Sequence, residues 1–188
     1  MTTPHALTAG GLQVDLLWNG DRFAHTVSVE AAGVWHELLR SFEGGPEEDW
    51  PSSPPLQQIH FEQRGDTTVA LFVGMAGRSH WSMSVEAMPD EQRIVFDIAC
   101  RCGAGALPRS TYLVVRPMTS GIGSNQRSCG WRLDEGSATV TCELRREGGL
   151  EDMLLAADPG AIIIVPGFLP AAEMRTVTWR YEFVRLGG

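Results

Sequence analysis

With 188 residues, 43% of them hydrophobic and 20% charged, the chain has the make-up of an ordinary globule, long enough to build one core without disulfides or metal. A net charge of −8, with all fifteen basic residues Arg and none gathered in a run, excludes the cationic surface that nucleic acid or an anionic membrane would need. Residues 1–11 lack a cationic stretch ahead of an apolar one, and the most apolar tract, residues 153–169, is broken at Asp158-Pro159-Gly160 and Pro166-Gly167. The expectation is a soluble, cytoplasmic protein with no membrane span.

Along the chain, alternation of apolar and polar residues predicts strands near residues 12–18 and 22–30. The next segment reads two ways. Val34, Trp35, Leu38, Leu39 and Phe42 fit a helical stripe stopped by Gly44-Gly45, while Ala32-Gly33 could instead turn a hairpin; the stripe favours the helix. Residues 44–55 hold four of the eleven prolines around Trp50, a stiffened loop suited to covering one end of the β structure.

Strands near residues 57–63 and 67–74 flank Arg64-Gly65-Asp66. Read as a three-residue hairpin loop, this sets Phe61 beside Val69 and Ile59 beside Leu71. The clearest pattern follows at residues 79–87 and 92–102. There Trp81, Met83 and Val85 alternate with polar residues, as do Ile94, Phe96, Ile98, Cys100 and Cys102. A loop at residues 88–91 would pair Val85 with Ile94, Met83 with Phe96 and Trp81 with Ile98. On the opposite face it sets Ser82 against Asp97 and Glu86 against Arg93, with His80 diagonal to Asp97 and Arg101.

Further strands are expected near residues 110–116, 128–134, 137–145, 161–165 and 174–185. A Glu135-Gly136 turn would oppose Leu133 to Ala138, Trp131 to Val140 and Cys129 to Cys142. Leu150, Met153, Leu154 and Ala157 suggest a short helix ended by Pro159-Gly160. In the last strand Val177, Trp179, Tyr181 and Phe183 share one face. The whole reads as one β-rich domain over residues 1–188: a lipocalin-like antiparallel barrel or a two-sheet sandwich, with one or two short helices. No G-x-W motif of the lipocalin kind stands near the N-terminus, which lowers a haem or retinoid reading.

Chemistry is sparse. Ser82, His80 and Asp97 share a face, but a nucleophilic triad needs the His between the other two, and here Asp97 faces Ser82; no G-x-S-x-G elbow occurs. A hydrolase is therefore the remotest reading, and no catalytic residue is assigned. The cysteines Cys100, Cys102, Cys129 and Cys142 fall in phase with apolar neighbours rather than in C-x2-C turns. They read as small core residues, and Cys129 and Cys142 as touching thiols. The five His show neither H-x-H nor H-E-x-x-H spacing, so no metal or cofactor is expected. Two functions fit. One is a binding domain for a small apolar or amphipathic ligand, oriented by Trp50, His80, Ser82, Asp97 and Arg101 if that face lines an interior. The other is an interaction module acting as a homodimer through a strand edge or residues 162–169.

Overall fold

The computed structural model describes residues 5–44, 50–103, 107–119, 128–135, 138–146, 153–157, 160–166 and 174–186. Its first sheet begins as a meander of four strands, β1 (His5–Ala9), β2 (Leu12–Trp18), β3 (Phe23–Ala31) and β4 (Val34–Ser41). Three later strands, β9 (Ser110–Val114), β13 (Ala161–Pro166) and β12 (Met153–Ala157), continue it in the order β1-β2-β3-β4-β9-β13-β12. The second sheet contains β5 (Leu56–Arg64), β6 (Thr67–Ala76), β7 (Ser79–Met88), β8 (Arg93–Cys102), β10 (Ser128–Glu135), β11 (Ala138–Arg146) and β14 (Arg175–Leu186). Its order is β10-β11-β14-β8-β7-β6-β5. Every pairing is antiparallel and the sheets do not close into a barrel, so the sandwich is the architecture.

Alternation delivers the core. Leu12, Val14 and Leu16 of β2 meet Ile94, Phe96 and Ile98 of β8 and Val177, Trp179, Tyr181 and Phe183 of β14 in one buried cluster. All four cysteines are free and buried, Cys100 and Cys102 in phase with Phe96 and Ile98 as expected. Ile162 and Ile164 of β13 also belong to this cluster, so the tract proposed as a subunit contact gives those two side chains to the interior.

Residues 34–41 are a strand, not the helix their stripe favours. Ala32 (φ 50°) and Gly33 (φ 77°) form the tight turn, and both central residues of a two-residue hairpin of this kind need positive φ. The helical look of Leu38-Leu39 comes from a bulge. Val27 pairs with Leu39 and Ser28 with Glu37, leaving Leu38 the extra residue, so two consecutive leucines are buried. Residues 153–157, expected as a helix, are likewise the strand β12; a 3-10 turn at Pro89–Glu91 is the one helical element among the described residues.

β7–β8 and β10–β11 keep their faces but change partners, whereas β5–β6 slips by one residue and turns Val69 and Leu71 to the face opposite Phe61 and Ile59. In β7–β8 the ladder pairs Val85 with Phe96, Met83 with Ile98 and Trp81 with Cys100. The Pro89–Glu91 turn takes in Gln92, which adopts a left-handed conformation, and this displaces the register by two. Glu86 consequently faces Val95 rather than Arg93. In β10–β11 the pairing runs on to Glu135–Ala138, which opposes Trp131 to Cys142 and Cys129 to Leu144, so the two thiols are offset along the ladder instead of facing each other. In β5–β6 the positive φ of Gly65 (61°) makes a two-residue turn, and Phe61 lies beside Ala70 and Ile59 beside Phe72.

Gly74 of β6 lies against the backbone carbonyl of Pro55, and a Cβ there would overlap that oxygen. Because the obstacle is main chain, no rotamer change relieves it. Gly74→Ala is expected to destabilise the fold by about 2 kcal/mol or more, read from urea unfolding.

Candidate functional site

The residues singled out from the sequence do not form one site. Trp50 packs its ring on Trp81 (centroids 5.7 Å apart), on the inner side of the second sheet, and donates its indole N–H to the Leu107 carbonyl at 2.9 Å. His80, Ser82, Asp97 and Arg101 stand on the outer face of that sheet and are exposed. His80 is opposite Arg101, Ser82 opposite Ala99, and Asp97 opposite Ser84 with Arg180 at 3.7 Å. Ser82 and Asp97 are thus not cross-strand partners, which removes the remaining basis for a triad there. His80 borders a groove of about 300 Å³ with Gln57, Gln58 and Met75.

The larger concavity lies on the first sheet, with a volume of about 850 Å³. It forms because the sheet splits. The β3–β4 ladder ends at Thr26–Arg40, while β3 continues beside β2 as far as Phe23–Trp18 and β4, whose Leu39 and Arg40 pair on both sides, continues beside β9 to Ser41–Tyr112. The unpaired backbone at the fork is met by side chains. The His25 N–H donates to Ser41 Oγ at 2.8 Å, and that hydroxyl donates to Glu43 Oε1 at 2.5 Å. Arg22, already bound to Asp21, reaches the Glu43 carbonyl at 3.4 Å.

Around this fork the cleft is lined on its outer side by Asp15, Leu17, Thr26, Glu37, Arg40 and Leu113. Trp18 and Phe42 flank it, both more than a third exposed, and Trp18 is steadied edge-on against Phe23 at 5.0 Å. Arg40 grips both oxygens of Glu37, at 2.9 and 3.1 Å, and Gln13 donates to both oxygens of Asp15, at 2.8 and 2.9 Å. Paired side chains of this kind hold their positions before any ligand arrives.

At the inner end His25, Ser41 and Glu43 are buried. His25 Nε2 is 2.7 Å from the Tyr112 hydroxyl, itself 2.7 Å from the Tyr181 hydroxyl across the sandwich. Ser110 bonds Tyr181 and accepts the Trp179 indole N–H at 3.2 Å. Burial drives the pKa of His25 down to about 4, so it is neutral at pH 7. Burial likewise pushes both tyrosines up, keeping them protonated. Glu43 is 91% buried and its Oε2 has no hydrogen-bond partner among the described residues. Burial raises its pKa to about 7; the Ser41 hydroxyl and Arg22 pull it back only in part. Among the described residues no group of three or more His, Cys, Asp or Glu gathers as metal ligands would.

Sequence reasoning passed over this site. Ser41 and Glu43 lay at the end of a segment read as helix. The one available signal was His25, a polar residue in phase with the apolar Phe23, Val27 and Val29.

No family model matches the chain, and a search of curated proteins finds no match. Among solved structures it is similar to the heparan sulfate lyase HepC from Pedobacter heparinus, with a TM-score of 0.60, 8% identity and 100% of this chain covered. A mutant of that lyase superposes with a TM-score of 0.57 at the same identity. The chain spans 37% of the length of either, and at this identity the likeness is one of fold.

Two outcomes follow from the buried groups. Tyr181→Phe removes the hydroxyl that partners Tyr112 and is expected to cost about 1–3 kcal/mol in denaturant unfolding. For Glu43 the native state binds a proton more tightly than the unfolded chain, so this group lowers stability as pH rises from about 4.5 to about 7. Over part of that range His25 acts in the opposite sense, adding stability as pH rises from about 4 to 6.5. Glu43→Gln is therefore expected to gain on the parent by roughly 3 kcal/mol between pH 4.5 and pH 8, in urea titrations at both pH values. A constant difference would place the Glu43 pKa at its ordinary value.

Proposed function

We propose that this chain is a binding domain whose cleft, at the fork of the first sheet, takes a small amphipathic ligand, a pyranose sugar first among them. One observation carries the reading: two aromatic side chains, Trp18 and Phe42, flank a cavity of about 850 Å³ whose outer wall holds carboxylates and an arginine already fixed by partners. A pyranose has an apolar C–H face that stacks on an aromatic ring and a rim of hydroxyls that bond carboxylates and guanidinium. The fold likeness to a heparan sulfate lyase supports trying sugars first. The reading is of binding rather than catalysis, because Arg40 and Glu37 are bound to each other and Asp15 is held by the Gln13 amide, as positioning elements.

The second reading, a homodimer, draws on the same surface: Leu17, Trp18, Phe42 and Leu113 are exposed apolar side chains on one side of the molecule. The two separate in one experiment. In calorimetric titration against a panel of neutral gluco- and galacto-oligosaccharides, binding is expected, and Trp18→Ala should weaken it about tenfold. Failure of the whole panel, with a dimer in sedimentation velocity that Trp18→Ala dissociates, would transfer the cleft to the homodimer.

A further inference from the structure

We infer that the cleft selects by charge: its ligand is a sugar bearing a protonated amine, and sulfated or carboxylated sugars are turned away. This rests on the sugar-binding reading and adds the sign of the ligand.

The wall carries three carboxyl groups, Asp15, Glu37 and Glu43, against the single guanidinium of Arg40. Arg40 is engaged by both oxygens of Glu37, so that pair is close to neutral overall and offers an incoming anion little. Arg22, beside Glu43, is held by Asp21 in the same manner. Asp15 has the uncharged amide of Gln13 on its two oxygens, with no cation paired to it among the described residues.

Glu43 supplies the independent pointer. It is 91% buried in the cleft wall, and among the described residues Oε2 has no hydrogen-bond partner. A buried polar atom without a partner is costly, and its field is screened far less than that of a surface carboxylate. A cation in the cleft relieves it without direct contact, whereas an anion adds to the repulsion. The net charge of −8 over the whole chain acts in the same direction.

The test uses the full chain and three versions of one gluco-oligosaccharide differing at a single position: 6-hydroxy, 6-amino-6-deoxy and 6-O-sulfo. Titrations are run at pH 7.5, where a primary alkylamine is protonated. The expected order is amine, then hydroxyl, then sulfate, with about tenfold between the first two. That advantage should shrink severalfold in Glu43→Gln and in Asp15→Asn, and fall with added salt. Asp15 lies on the outer face, so its variant keeps the test alive if Glu43→Gln alters folding. Equal affinity for all three sugars, or tightest binding of the sulfate, overturns the inference. If the hydroxyl sugar binds in a Trp18-dependent way and the amine is no better, the charge inference falls alone. Binding by none of the three removes both readings.

Discussion

The bond between the Tyr112 and Tyr181 hydroxyls joins the two sheets where polar groups have been drawn into the interior. Hydrophobic contact holds a sandwich together without regard to direction, but a hydroxyl enclosed between sheets must find a partner or destabilise the fold. Each tyrosine satisfies the other, His25 closes one end of the chain and Ser110 the other, and Phe96 stacks on Tyr181 at 5.0 Å. Strands β3, β8, β9 and β14 are thereby fixed relative to one another.

The fork is a product of topology. β4 has two neighbours, β3 and β9; Leu39 and Arg40 pair with both, and at Ser41 the ladder continues with β9 alone. The bulge at Leu38 bends β4 at this point, and the change leaves main-chain donors to be met by Ser41. Sheets seldom expose a seam of this kind without capping it. Here the cap is a hydroxyl and a carboxyl, which places a titratable group in the wall of a cavity. One backbone irregularity thus yields both the concavity and its electrostatic character.

Much of the sandwich was legible because period-two alternation survives a register displacement of two, though not the displacement of one seen in β5–β6. The β7–β8 hairpin illustrates the limit. A displacement of two leaves Trp81, Met83 and Val85 on the core face, yet it changes every cross-strand partner and separates Ser82 from Asp97. Faces are written in the side chains, whereas partners are set by turn geometry, and Gln92 entering a left-handed conformation is not announced by its residue type. The misreading of β4 has the same root, since a bulge places two adjacent leucines inward and imitates a helical stripe. The cleft was illegible for a different reason. Its members come from β2, β3, β4 and β9, and a single sequence does not say that β9 completes a sheet begun a hundred residues earlier. The outer face of the second sheet drew attention because its polar residues were adjacent in sequence, and adjacency is a poor guide to convergence.

The junction of β4 with β9 also divides the first sheet by the manner in which its parts are connected. β1 to β4 are linked by successive hairpins, whereas three residue pairs tie them to the half made by β9, β13 and β12. Ladders within the meander close short loops, but Leu39 meets Val114 only after the intervening chain has been ordered, and the entropy of loop closure makes that contact the more expensive one. Contacts of this reach are the ones that slow folding. The cleft therefore lies along the border between a locally assembled half-sheet and one recruited from far down the chain.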